Sequence, residues 1–278
     1  MGTGFFERAD EDRRVLVCAD NRVGAELLQF LCETPRTQVV GVIVHPERTA
    51  RSLALIAATA ERHGVPVFEI RSARRDFDAI ARLSPDYLVS LYFDYILDDR
   101  FLSLPSQLAL NLHPGYLPYN KGFYYYVWAQ LDGTPAGVSI HRMVADVDAG
   151  EIISQARVRI SPADTGAVIY AKHEDASIRL FRATWPAIVG NRYKLYDQSH
   201  PGTRHRVAET EEIAHVDPFE RVRVIDFLDR VRVLTGSQGP QCTIELGGTR
   251  YRLAISLTPA DETVTGDVPV SAAVGSAG

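Results

Sequence analysis

The chain has 278 residues, 46% of them hydrophobic and 23% charged, which suits one large or two modest globular domains and excludes a disordered or collagen-like chain. Its 30 Lys and Arg stand against 35 Asp and Glu, a formal net charge of −5, the wrong sign for gripping long nucleic acid through its phosphates. Cys18, Cys32 and Cys242 have no CxxC pairing or metal-like spacing, so they read as reduced structural thiols, and no metal site is expected.

The charged N-terminus and the shortness of apolar strings such as 39–44 predict a chain that is neither secreted nor membrane-spanning, and hence cytoplasmic. The first ninety residues alternate short apolar runs with helical patterns, the signature of βαβ units and a parallel sheet. Strands are expected at 14–19, 39–45, 65–69 and 87–92, with helices at 24–32, 50–63 and 76–83. The fold class is α/β, a Rossmann-like doubly wound parallel sheet. A further strand at 108–113 ends in His113-Pro114-Gly115. Ligands of open parallel sheets collect beyond the carboxyl ends of the strands, so Asn111 and His113 sit where chemistry is expected.

The runs 137–144 and 151–160 alternate apolar with polar residues around Asp146-Val147-Asp148-Ala149-Gly150, predicting two strands joined by a tight acidic loop. A long helix, interrupted by Pro186 and Gly190, is expected over 164–196. Residues 200–216 turn polar and read as a linker or a crossing segment. A helix at 222–233, a turn at 236–240 and a ribbon around Gly247-Gly248 follow, too small to hold a core of their own. The expected organisation is a catalytic domain over 1–200, a small helix and β-hairpin over 201–258, and a loose tail over 259–278.

The first strand-to-helix turn, Cys18-Ala19-Asp20-Asn21-Arg22-Val23-Gly24, carries one glycine where a dinucleotide fingerprint needs three. P-loop, nucleophile-elbow and HExxH motifs are also absent. What remains is Asn111-Leu112-His113, the string Pro114 to Gly122, and Asp146 to Gly150. On a strand, residues i and i+2 project from one face, so the Asn111 amide and the His113 imidazole point together. An imidazole can move a proton, a carboxamide can donate to an oxyanion, and a carboxylate can hold the imidazole's tautomer. Together they suit acyl transfer. Taken alone, His113 reads as a hydrogen-bonded structural histidine, Asp148 as a hairpin cap, which leaves Asp146 as the fallback acid, and His141 as a strand residue. The aromatics after Gly122 read as helix packing.

The motifs N-x-H-x-x-x-L-P and D-x-G resemble those of the formyltransferase family that uses N10-formyltetrahydrofolate. The likeness is specific over 85–160 and looser over 14–200. It implies catalytic roles for Asn111, His113 and Asp148: His113 as base, Asn111 as oxyanion donor, Asp148 in support. The string from His113 to Gly122 looks like that of nucleotide-sugar N-formyltransferases, and 228–257 resembles their C-terminal helix and ribbon. Tyr124-Tyr125-Tyr126 departs from the Pro-Asn pair frequent in those relatives and bears on the identity of the acceptor. The resemblance further implies a pterin slot formed by Phe93, Tyr95 and Leu97 with Val144 and Asp146. Acceptor contacts are expected from Tyr119, Asn120, Lys121 and Tyr124. The implied partners are an N10-formyltetrahydrofolate cosubstrate, a nucleotide-linked amino-deoxysugar such as a dTDP-3- or 4-amino-dideoxyhexose, and a second copy of the chain in a homodimer. Methionyl-tRNA formylation, hydrolysis of formyltetrahydrofolate and noncatalytic binding remain as alternatives.

Overall fold

The computed structural model describes residues 12–260. The chain opens with β1 (Arg13–Ala19), α1 (Asn21–Glu33), β2 (Thr37–Val44), α2 (Leu53–Arg62) and β3 (Val67–Glu69). Next come α3 (Ile70–Arg75), α4 (Phe77–Ala81), β4 (Tyr87–Leu91), α5 (Asp99–Leu102) and β5 (Leu108–His113). These are followed by β6 (Lys121–Gly122), α6 (Tyr125–Leu131), β7 (Gly137–Arg142), β8 (Ile152–Arg157) and α7 (Gly166–Val189). The C-terminal part holds β9 (Arg204–His205), α8 (Val207–Ile213), β10 (His215–Val216), α9 (Val224–Leu234), β11 (Thr243–Leu246) and β12 (Thr249–Arg252).

The main sheet runs β3-β2-β1-β4-β5-β7-β8. Its first five strands are parallel, and β7 and β8 extend it antiparallel. Strand order reverses between β1 and β4, which opens a crevice beyond their carboxyl ends. Alternation along β1 builds both faces: Val15, Val17 and Ala19 join the core under α1, α2 and α7, while Leu16 and Cys18 join the opposite core with Ile70, Ile80 and Phe101. Burial pushes the Cys18 thiol far up, as suits an inert core residue.

The structure departs from several sequence expectations. The helix expected over 76–83 is two short ones, because Asp76 leaves helical geometry at φ −105°, ψ 42°. α7 passes through Pro186 and stops at Gly190; proline costs one hydrogen bond there without ending the helix. The loop after β7 spans 143–151 and is not tight. Residues 200–216 are not a bare linker: β9, α8 and β10 lie within them, and β9 pairs with β6. The C-terminal ribbon is three-stranded, β10-β11-β12. The tail expected to be loose lies, beyond residue 260, outside the described residues. Among those residues no helix is long and apolar enough to cross a membrane.

Candidate active site

Asn111 and His113 leave the end of β5 on one face, and the β5–β7 ladder sets His141 opposite Asn111 and Ser139 opposite His113. Asp148 reaches the same place from the loop after β7. Its φ of 58° lies in the left-handed region, which Asp tolerates better than most residues. Gly150 is required two residues on, since a Cβ there would stand 2.0 Å from the Arg142 carbonyl oxygen. The D-x-G pattern is thus a backbone device that folds the acid back over the sheet end.

Asp148 Oδ1 lies 3.6 Å from His113 Nδ1 and 3.5 Å from His141 Nε2, while Oδ2 accepts the Gly122 N–H at 3.0 Å. Burial works against the Asp148 charge, but His113, His141 and the Gly122 N–H prevail and hold its carboxyl well below the ordinary range. Asp148 is therefore ionised at neutral pH. His141 Nδ1 must be the donor to the Arg142 carbonyl oxygen at 2.8 Å. Its Nε2 lies between Asn111 Nδ2 at 3.3 Å and Asp148 Oδ1 at 3.5 Å. The contact uses at most one of the two Asn111 amide hydrogens.

His113 is 4% exposed. Burial lowers its pKa; Asp148 opposes this, His141 and Lys121 add to it, and the Asn120 carbonyl favours the proton. Its Nε2 is buried under the Gly115 turn without a hydrogen bond among the described residues, and a Cβ on Gly115 would lie 2.5 Å from it. Its Nδ1 faces Asp148 Oδ1 at 3.6 Å.

These groups open on a cavity of about 710 Å³, within the size range of small-molecule sites. One part of its wall, with Phe93, Tyr95, Leu97 and Met143, belongs to the core around α3 to α5. Another part, with Tyr124, Tyr125, Tyr126 and Tyr170, belongs to the core shared by α6, α9 and the C-terminal strands. Of the residues singled out in the sequence, Asn111, His113, Asp148, Phe93, Tyr95, Leu97, Val144 and Tyr124 line this cavity.

Four do not. Tyr119 packs on His200, ring centroids 5.0 Å apart, in a second cavity outside β8. Asn120 is consumed internally: its N–H donates to Thr203 Oγ1, its Nδ2 donates to Thr134 Oγ1, and its Oδ1 accepts from Thr203. Lys121 is buried off the wall in register with Arg204, and burial together with Arg204 lowers its pKa. Asp146 points to solvent and pairs with Arg204 at 2.9 Å.

Sequence reasoning undervalued His141 and missed His45 and Arg51. Asp20, 1% exposed, accepts from the Arg51 N–H and Nε, both at 2.9 Å. Arg51 also pairs with Asp94, and His45 Nε2 accepts the Asp94 N–H at 3.2 Å. Asp20, His45 and Asp94 have the spacing of metal ligands, but Arg51 already bridges both carboxylates, so the group acts as a clamp on the segment that carries Phe93 and Tyr95. No local motif announces such a clamp, since its members come from three separate turns.

Comparison with known proteins places the chain among its relatives. A formyl transferase family model matches residues 20–184. A sugar N-formyltransferase from a Shewanella species is 18% identical, with 89% of this chain and 98% of that one covered and a TM-score of 0.76. A 4-N formyltransferase from Francisella tularensis is 20% identical over 89% and 98% of the two chains, with a TM-score of 0.75. An N-formyltransferase from Helicobacter canadensis, solved with folinic acid and dTDP-3-aminofucose, is 20% identical over 85% of each chain, with a TM-score of 0.67. With its family model spanning more than half of its length and its fold shared with these enzymes, the chain belongs to the formyl transferase family.

Proposed function

We propose that the protein is a cytoplasmic enzyme that moves the formyl group of N10-formyltetrahydrofolate to the amino group of a nucleotide-linked amino-deoxysugar. The observation that carries this reading is the convergence of Asn111, His113, His141 and Asp148 on a cavity also lined by the apolar Phe93, Leu97 and Met143. Phe93, Leu97 and Val144 would hold the pterin there, and the cosubstrate supplies an activated one-carbon acyl group. The solved relative with folinic acid and a dTDP-aminosugar supports the same pairing of ligands.

The residues divide the work. His113 takes the proton that the attacking amine loses as its nitrogen bonds to the formyl carbon, and later returns it to the departing folate nitrogen as the old C–N bond breaks. Asn111 directs its free amide hydrogen at the formyl oxygen as charge grows on it, a contribution worth about 10²–10³ in rate for one such donor. Asp148 stabilises the imidazolium formed in between. Burial keeps His113 neutral at pH 7, so it meets the amine as a base.

The C-terminal module favours self-association, because Phe219, Val224, Ile225 and Tyr251 are exposed on it. A homodimer through this module is accordingly part of the reading, and sedimentation of the purified chain tests it. The reaction is tested by a mass-spectrometric screen of dTDP-, UDP- and GDP-linked 3-amino and 4-amino sugars. A gain of one formyl group on at least one of them is expected. Modification of tRNA or a purine precursor with none of these sugars changed overturns the assignment.

A further inference from the structure

The turn that follows α9 reaches back to the cavity, and its backbone is locked from several sides. Gln241 closes it, with Nε2 donating to the Ser237 carbonyl at 2.9 Å and Oε1 accepting the Gly236 N–H at 3.3 Å. The Gln238 N–H donates to the Tyr126 hydroxyl at 3.0 Å. Gly239 lies against the Tyr124 ring so closely that a Cβ would stand 2.1 Å from Tyr124 Cε1. At the base of the turn, the Ala167 N–H donates to the Thr235 carbonyl at 3.2 Å, tying it to the start of α7. The turn is thus held by two tyrosines that themselves line the cavity.

One side chain in this locked turn is unspent. Gln238 is exposed, belongs to the cavity wall, and its carboxamide makes no hydrogen bond among the described residues. Rigid backbone with a free polar end is the arrangement that recognises a ligand at low entropic cost. Its place on the wall separates it from Phe93, Leu97 and Met143, which pack with the opposite core. We infer that Gln238 is a specificity-determining residue for the acceptor, its carboxamide pairing with a neutral donor–acceptor group such as vicinal sugar hydroxyls or the imide edge of a pyrimidine base. The inference rests on the proposed aminosugar reading and adds the C-terminal module to the substrate site.

The test compares Gln238→Met and Gln238→Glu with the wild-type enzyme in steady-state kinetics and in calorimetric binding of nucleoside diphosphates. Loss of one neutral hydrogen-bonded contact predicts an acceptor KM raised about 3- to 10-fold in Gln238→Met. Gln238→Glu adds a negative charge near an anionic ligand and should raise it further. The KM for the formyl donor and kcat should stay within about twofold, because Gln238 touches neither the donor wall nor Asn111, His113 or Asp148. Weakened binding of the free nucleoside diphosphate assigns the contact to the base; weakening confined to the complete sugar nucleotide assigns it to the sugar. An unchanged acceptor KM, or a raised donor KM instead, overturns the inference even where the sugar is formylated. Failure of the wild-type enzyme to formylate or bind any sugar nucleotide overturns both the inference and the proposed reaction.

Discussion

Gln198 Nε2 donates to the backbone carbonyl of Asp148 at 2.8 Å, and the same amide reaches the Gly150 carbonyl at 2.9 Å. Both partners are acceptors, so the amide has a single workable orientation. Nearby, Tyr196 and Ile152 exchange backbone hydrogen bonds, and Arg204 donates to the Val147 carbonyl at 2.8 Å. A strap over 196–204 therefore holds the loop that carries the candidate catalytic acid. Gln198→Glu keeps the shape but turns a carboxylate toward two carbonyls. We expect kcat to fall roughly tenfold to a hundredfold, the cost of an ångström-scale misplacement. Gln198→Ala should fall less, because water can replace the amide. Equal activity in all three proteins would show that the strap does not position Asp148.

Gly115 makes room for the imidazole. A methyl group there would lie 2.5 Å from His113 Nε2, so Gly115→Ala must turn or shift the ring. The expected result is a kcat lower by about a hundredfold or more with little change in Tm, since a side chain rather than backbone is displaced. Circular dichroism melting alongside single-turnover assays checks both halves.

The pH dependence follows from the His113 environment. Burial depresses its pKa below the ordinary imidazole value of 6.5, so the base is neutral at pH 7 and activity is lost only as pH falls through the lower value. The acid limb of kcat/KM should accordingly lie below 6.5. Asp148→Asn removes the charge that opposes this depression, so the limb should move further toward acid while the plateau drops by about 10²–10⁴. A limb that moves to higher pH in Asp148→Asn would contradict the assignment of the base.

His173, packed on Tyr125 behind the cavity, offers a stability test. It is 1% exposed, its Nδ1 donates to the Ile169 carbonyl at 2.8 Å, and burial lowers its pKa to about 4. Between about 4 and 6.5 the unfolded chain binds a proton at this residue that the folded chain does not, so stability rises with pH through that window. The shift corresponds to a cost on the order of 3 kcal/mol at the acid end. His173→Phe should flatten the dependence of Tm on pH there; an unchanged slope would show that other groups account for it.

The sequence made the skeleton legible where periodicity is strong. β5 falls at its expected residues, and β1, β2 and β4 within two residues of theirs, because each is built on a short, mainly apolar run. Asn111 and His113 could be paired because strand alternation is a local signal, and Asp148 could be named because the D-x-G motif resembles that of the formyltransferase family. The short and non-local parts were not readable. β6 and β9 are two residues each and form only through pairing with one another. The Asp20–Arg51–Asp94 clamp and the Gln198 strap join separate turns. Tyr119 and Asn120 lay in a suggestive string, yet their side chains are taken up by His200, Thr134 and Thr203, partners that only the fold brings near.

The most direct measurement is the release of tetrahydrofolate from N10-formyltetrahydrofolate by the purified protein, with and without an aminosugar nucleotide, in wild type and in His113→Ala. If the four polar groups beyond β5 carry out formyl transfer, release depends on the acceptor, matches the formylated sugar mole for mole, and disappears in the variant. Release at the same rate without any acceptor would mean that water is the substrate, and full activity in His113→Ala would mean that the chemistry lies elsewhere.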